Sequence, residues 1–193
     1  SYEKPKGSEL SAKTDQHRLF FHKLGTKQAE DAILFGDQEK RRYVGGYVSD
    51  DNRYLFISAA NSTSGNELYL KDLSVPNSPI VAIHKGFEYD VDVLDNIGTT
   101  LFIVTNLKAP NKRIVTVDVA NPGVENWKDL IPETEQVLNP STGAGYIFAN
   151  YMKDAVSVVK QFDYKGKLIR TIALPGVGTA SGFGGKAKDK ELY

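Results

Sequence analysis

The apolar positions of this chain come in short runs, mostly of four to seven residues, and several alternate with polar ones. Tyr43–Val48, Arg53–Ala59, Glu67–Leu73 and Pro79–His84 form one group of four such runs. Tyr89–Leu94, Thr100–Thr105, Arg113–Val119 and Trp127–Ile131 form a second. Gln136–Asn139, Tyr146–Tyr151, Ser157–Phe162 and Leu168–Leu174 form a third. The runs are rich in Val, Ile, Tyr, Phe and Leu, the residues that suit a pleated, half-buried surface. Turn formers separate them: Asp50-Asp51-Asn52, Ser64-Gly65-Asn66, Pro110-Asn111 and Tyr164-Lys165-Gly166. No segment holds a 3.6-residue period over three turns, so the pattern predicts an all-β protein.

The groups repeat in phase. Phe56, Phe102 and Phe148 follow turn segments at steps of 46 residues. Asp72, Asp118 and Asp163 close apolar runs at steps of 46 and 45. Arg18–Leu24 fits the same slot one step earlier, with Lys23 where the aspartate would stand. About four antiparallel strands per ~40–50 residues is the period of a β-propeller blade. A β-sandwich also uses many short strands but gives no such step. The reading therefore places a half-blade over about 15–36, full blades over about 43–85, 88–132 and 136–174, and a second half-blade over about 178–193. The first half-blade holds runs at Arg18–Leu24 and Ala32–Phe35, the last holds runs near Ala180–Gly184 and Lys190–Tyr193. A propeller buries each sheet face against a neighbour, so an open arc leaves apolar faces and strand edges in water. The expectation is a partial propeller cut from a larger ring, beginning and ending inside a blade. Two copies joined head to tail through their half-blades would also cover both edges.

Composition narrows the function classes. Lys and Arg number 24 and Asp and Glu number 24, for a net charge of zero. That balance argues against nucleic acid, whose binders carry a basic excess. Hydrophobic residues make up 40%, enough for a packed core. No apolar run approaches the ~18 residues of a membrane helix, and Ser1–Lys13 lacks the form of a secretory signal. The chain has no cysteine, which excludes disulfides, a thiol nucleophile and Cys-type zinc sites and leaves the compartment, cytoplasmic or periplasmic, open.

A collinear series of segments resembles the prolyl oligopeptidase family of serine peptidases. It runs from Asp15–Thr26, Gln28–Asp31, Gly45–Tyr54 and Leu68–Leu73 through Leu107–Arg113, Trp127–Glu133 and Gly178–Gly185, and so spans nearly the whole chain. The resemblance implies a seven-bladed propeller that caps an α/β-hydrolase peptidase domain carrying Ser, Asp and His. It implies cleavage of short peptides after proline, with large folded substrates excluded. This chain would correspond to roughly blades three to seven, less the outer half of the last, with the peptidase domain outside it.

The residues themselves offer little chemistry. A hydrolase of that kind needs a Gly-x-Ser-x-Gly elbow. The nearest stretch, Gly178-Thr179-Ala180-Ser181-Gly182, has the wrong spacing. His17, His22 and His84 read as strand or loop residues, and the five-residue step between His17 and His22 puts them on opposite strand faces. The run Gly176–Gly185 lacks the strand-then-helix setting of a phosphate loop and reads as a glycine-rich inner strand. Asp90 and Asp92 would share one inner-strand face, as a solvated pair or a cation site. Asp72, Asp118 and Asp163 recur with the repeat, which points to capping of backbone amides. Trp127 is expected to pack between blades. No catalytic residue, cofactor or metal site is assigned. The expected function is the non-catalytic, substrate-gating part of a peptidase. The expected partners are the absent peptidase domain, short peptide substrates and, through half-blade completion, a second copy. The alternatives are a stand-alone peptide-binding propeller and a channel enzyme of the glycosidase type.

Overall fold

The computed structural model describes residues 15–192; Ser1–Lys13, read above as no secretory signal, lies outside them. The strands are β1 (Leu19–Phe21), β2 (Ala32–Phe35), β3 (Tyr43–Val48), β4 (Tyr54–Ala60), β5 (Glu67–Asp72), β6 (Ile80–His84) and β7 (Val91–Ile97). They continue with β8 (Thr100–Thr105), β9 (Arg113–Asp118), β10 (Lys128–Ile131), β11 (Leu138–Gly143), β12 (Tyr146–Lys153), β13 (Val156–Phe162) and β14 (Leu168–Thr171). Single 3₁₀ turns at Gln28–Glu30 and Val124–Asn126 are the only helical segments among the described residues. The chain divides between Tyr89 and Asp90 into two compact units. In the first, β1 pairs with β2, and β3–β6 form an antiparallel sheet in chain order. In the second, β7–β10 and β11–β14 form two more such sheets. Chain order follows from hairpins of a few residues, which bring only sequential strands together.

The repeat markers occupy equivalent places. Phe56, Phe102 and Phe148 lie on β4, β8 and β12, the second strand of each four-stranded sheet. Asp72 and Asp118 end β5 and β9, and Asp163 directly follows β13. The second strands are buried on both faces: Tyr54, Phe56 and Ile57 are 1% exposed or less. That is why their sequences read as almost unbroken apolar runs.

Each unit has its own core. In the first, Val44, Leu55, Ile57, Ala59 and Tyr69 pack with Leu19, Leu34 and Phe35 of the β1–β2 pair. The close seat depends on Gly46, where an added Cβ would stand 2.8 Å from a Leu19 methyl carbon. In the second unit, Phe102, Val104, Ile114 and Ile131 of one sheet meet Leu138, Ile147, Ala149 and Tyr151 of the next. Burying side chains of this size stabilises by roughly 1.5–3 kcal/mol each.

The C-terminal end of the described residues differs from the expectation of a bare face. Residues 178–192 form no strand of their own, so the strands expected at Ala180–Gly184 and over 190–192 are not formed; Tyr193 lies outside the described residues. The segment instead covers the face of β12 and β13 that carries Phe148, Asn150 and Ser157. Ser157 donates its N–H to the Gly178 carbonyl at 2.9 Å, and Ala180 donates back to Ser157 Oγ at 2.9 Å. Asn150 Nδ2 donates to the Ala180 carbonyl, and Phe183 stacks on Phe148 with centroids 5.5 Å apart. Gly185 N–H reaches the Thr142 carbonyl and Ala144 N–H reaches that of Lys186. Many glycines let this segment lie flat on the sheet. At the other end β1 is paired only with β2 among the described residues, and Phe21 is 57% exposed, as expected of an open edge. Trp127 is also placed differently. β10 starts at Lys128, and the indole N–H donates to the Pro122 carbonyl at 2.9 Å, which closes its own loop. Its sequence context, read as strand, is the exit of a 3₁₀ turn.

Two turns give opposite expectations. Gly65 has φ +74°, and an added Cβ would fall 1.8 Å from the Phe87 carbonyl oxygen. Gly65→Ala is expected to destabilise by ~1–3 kcal/mol through strain and overpacking. Ala155 occupies φ 62° in the β12–β13 hairpin beside Asp154 at φ 50°. Ala155→Gly is expected to stabilise by ~1 kcal/mol by removing the left-handed penalty. Urea midpoints of the two variants check both signs.

Candidate functional site

The recurring aspartates are cappers. Asp72 Oδ1 accepts the Ser74 N–H at 2.9 Å, Asp118 Oδ1 accepts that of Ala120 at 2.8 Å, and Asp163 Oδ1 accepts that of Lys165 at 2.9 Å. Each bond spans two residues, the geometry of an Asx turn. The second oxygen ties a neighbouring turn. Asp72 Oδ2 lies 3.3 Å from Arg53 Nη2, and Asp118 Oδ2 accepts the Thr99 hydroxyl at 2.7 Å. Arg53 and Thr99 are themselves 46 residues apart, so the clamp repeats with the sheets. The Ser74 hydroxyl and amide, with Arg53, hold the Asp72 carboxyl below its usual range, and the Thr99 hydroxyl and Ala120 amide do so for Asp118.

A buried ionic cluster lies at the head of β5. Arg41 grips Glu67 with two bonds, Nε to Oε2 at 2.7 Å and Nη2 to Oε1 at 3.2 Å. The Tyr69 hydroxyl donates to Glu67 Oε2 at 3.0 Å, Arg41 also reaches Glu39 at 2.9 Å, and its guanidinium sits 5.4 Å from the Phe87 ring centre. Burial pushes the Glu67 carboxyl up, but the bonds from Arg41 and Tyr69 overcome it and the net direction is down. Burial and the Glu67 bond push the Tyr69 hydroxyl up to about 12. Sequence reading missed this group. Its one signal is an acid, Glu67, heading the otherwise apolar run Leu68-Tyr69-Leu70.

Asp90 and Asp92 meet at the start of β7. Asp90 is fixed: its N–H donates to Asn106 Oδ1 at 2.7 Å, and its carbonyl accepts the Thr105 hydroxyl at 2.8 Å. Asp92 is an exposed residue at the second position of β7. The protein around it raises its carboxyl, Lys112 opposes that rise and Asp90 adds to it. The result is a charged group, two carboxylates against one ammonium, beside a strand that ends a sheet. It holds no nucleophile.

The histidines are separate. His17 Nδ1 accepts the Val44 N–H at 3.1 Å, and burial lowers its pKa. His22 Nδ1 lies 2.7 Å from Asp31 Oδ1. His84 is buried, its Nε2 meets no hydrogen-bond partner among the described residues, and burial lowers its pKa against the pull of Glu88 and Glu67. Among the described residues no group of three His, Cys, Asp or Glu side chains could hold a metal ion.

Comparison with known proteins decides the family. The model of the prolyl oligopeptidase N-terminal β-propeller domain matches residues 1–193. The chain belongs to that family. Each four-stranded sheet corresponds to a blade of the prolyl oligopeptidase propeller. The prolyl endopeptidase of Elizabethkingia meningoseptica is 54% identical over 100% of this chain, and that of Elizabethkingia miricola 53%. The prolyl oligopeptidase A of Galerina marginata is 31% identical over 84% of the chain. The chain spans 28% of the length of the two Elizabethkingia relatives. A solved structure from a mechanistic analysis of two prolyl endopeptidases superimposes with a TM-score of 0.82 at 28% identity, over 95% of this chain and 28% of that one. Prolyl oligopeptidase B of Galerina marginata gives 0.79 at 26% identity, over 92% of this chain and 26% of that one.

Two measurements test the buried groups of this propeller segment. Arg41→Ala leaves the Glu67 charge buried without its partner and is expected to cost ~3–5 kcal/mol in urea unfolding. The unfolded chain protonates His84 near the ordinary 6.5, whereas the folded chain does so only at lower pH. Its share of stability is therefore complete above about 6.5 and falls as the pH drops below it. His84→Phe is expected to flatten that part of the stability profile; an unchanged slope means His84 is not its source.

Proposed function

We propose that the chain is the non-catalytic, substrate-gating propeller part of a prolyl endopeptidase. A separate α/β-hydrolase domain of the same protein supplies the nucleophile, and the propeller admits short peptides and excludes folded proteins. The observation that carries this reading is the match of the whole chain to the propeller family, together with prolyl endopeptidase relatives of which it spans 28%. Two features support it. The sequence holds no Gly-x-Ser-x-Gly elbow, so a nucleophile of the α/β-hydrolase type has to come from elsewhere. Asp90 and Asp92 at the start of β7, with Lys112 just before β9, form a charged group rather than a catalytic constellation. In this reading the edge of β1 that has no partner among the described residues is completed by further strands of the same protein, and pairing of two copies is the competing occupant.

The test uses a chromogenic Gly-Pro peptide. The chain alone is expected to give no turnover, and the chain joined to the peptidase domain of its protein is expected to cleave the peptide but not a folded protein bearing the same sequence. Turnover by the chain alone overturns the reading. Sedimentation of the joined protein as a monomer supports completion of β1 within one polypeptide; a dimer that dissociates on deletion of β1 and β2 supports pairing of copies.

A further inference from the structure

The blade β7–β10 carries a cavity that the gating function does not use. Asp118 pairs with Thr100 across β8 and β9, and Lys128 pairs with Thr116 across β9 and β10. The loop from Val119 to Trp127 returns over these strand ends and leaves a solvent-open cavity of about 470 Å³. That volume lies within the ~300–1,000 Å³ usual for small-molecule sites. Trp127 lines it. Its indole N–H is already spent on Pro122, so what the ring offers a ligand is its carbon surface.

The polar groups around that surface are mixed in kind. Among the described residues the Thr100 hydroxyl, the Asn121 side-chain amide and the Lys128 ammonium have no protein partner, and Glu125 makes only a 3.5 Å contact from Asn126. Asp118, by contrast, is engaged with Thr99 and Ala120. Charge selects among ligand classes. A cation meets Lys128, and an anion meets Glu125 and Asp118. A neutral polyol meets neither repulsion, because each hydroxyl both donates and accepts and so suits donors and acceptors set side by side. An aromatic wall flanked by an amide, a hydroxyl and a carboxylate is the recognition chemistry of a sugar ring, with its apolar face on the indole and its hydroxyls on the rim. We propose that this cavity binds a neutral saccharide, through contact with Trp127 and hydrogen bonds to Thr100, Asn121, Glu125 and Lys128.

Trp127 is the only tryptophan in the chain, so indole fluorescence reports this cavity and nothing else. The probes are glucose, N-acetylglucosamine, maltose and cellobiose at millimolar concentrations, with N-acetylarginine amide as the cationic and glucuronate as the anionic control. The expected result is a saturable change in emission with at least one of the neutral sugars. It should be weakened about tenfold in Asn121→Ala and in Glu125→Gln, as loss of good hydrogen bonds from the site implies. Both variants keep the indole, and an unchanged far-ultraviolet circular dichroism spectrum establishes that they are folded. No saturable response to any of the four sugars overturns the proposal. So does a response that both variants retain in full, or one given by the arginine amide or glucuronate in preference to the sugars. None of these readouts involves peptide cleavage, so failure here leaves the gating function untouched.

Discussion

The structure depends on burial of sheet faces against sheet faces. A four-stranded meander has two apolar faces, and hairpin connections cover neither. Ile147, Ala149 and Tyr151 on β12 are buried because Phe102, Val104 and Ile114 stand opposite them, and the converse holds as well. The Leu55–Ile57–Ala59 face of β4 relies in the same way on the small β1–β2 pair. Each sheet thus gains most of its stability from a neighbour, as repeat proteins do. The glycine at position 46 and the clamped turns at Asp72, Asp118 and Asp163 serve that stacking. The first allows close approach, and the second holds hairpin ends in place so that the faces present the same shape each time.

The blades were legible in the sequence because this stacking imposes a period. Phe56, Phe102 and Phe148 mark the second strands at equal steps since each fills the same place in its own sheet. The aspartates were legible for a related reason, as a capping group recurs when the turn it caps recurs. What was illegible is what happens once. Residues 178–192 look like strands by composition, but their backbone finds partners in Thr142, Ala144 and Ser157 and forms no ladder. Trp127 reads as the opening of a strand, but it stands at the exit of a 3₁₀ turn and donates its N–H to a carbonyl five residues away. Short-range alternation does not reveal such single encounters.

The polar interior was the least readable part. Arg41 and Glu67 are 26 residues apart and lie on different elements, and only the fold brings the guanidinium fork onto the carboxylate. His84 and Glu67 sit near one another because β5 and β6 are paired, with Leu68 opposite His84. Asp90 and Asp92, by contrast, were found from their two-residue spacing, because strand geometry alone sets the distance between such neighbours.

The glycine-rich cover over β12 and β13 has a kinetic meaning. It is attached by a handful of bonds to Thr142, Ala144, Asn150 and Ser157 and by one aromatic stack, while the blade beneath keeps its complete ladder. Lifting it breaks none of the pairings between β11, β12, β13 and β14. Its opening is therefore a local event of low free energy, separate from melting of the sheet. Amide protons at Ala180 and Gly185 are expected to exchange faster than those at Val159 or Ile147, the rim of this blade opening before its centre.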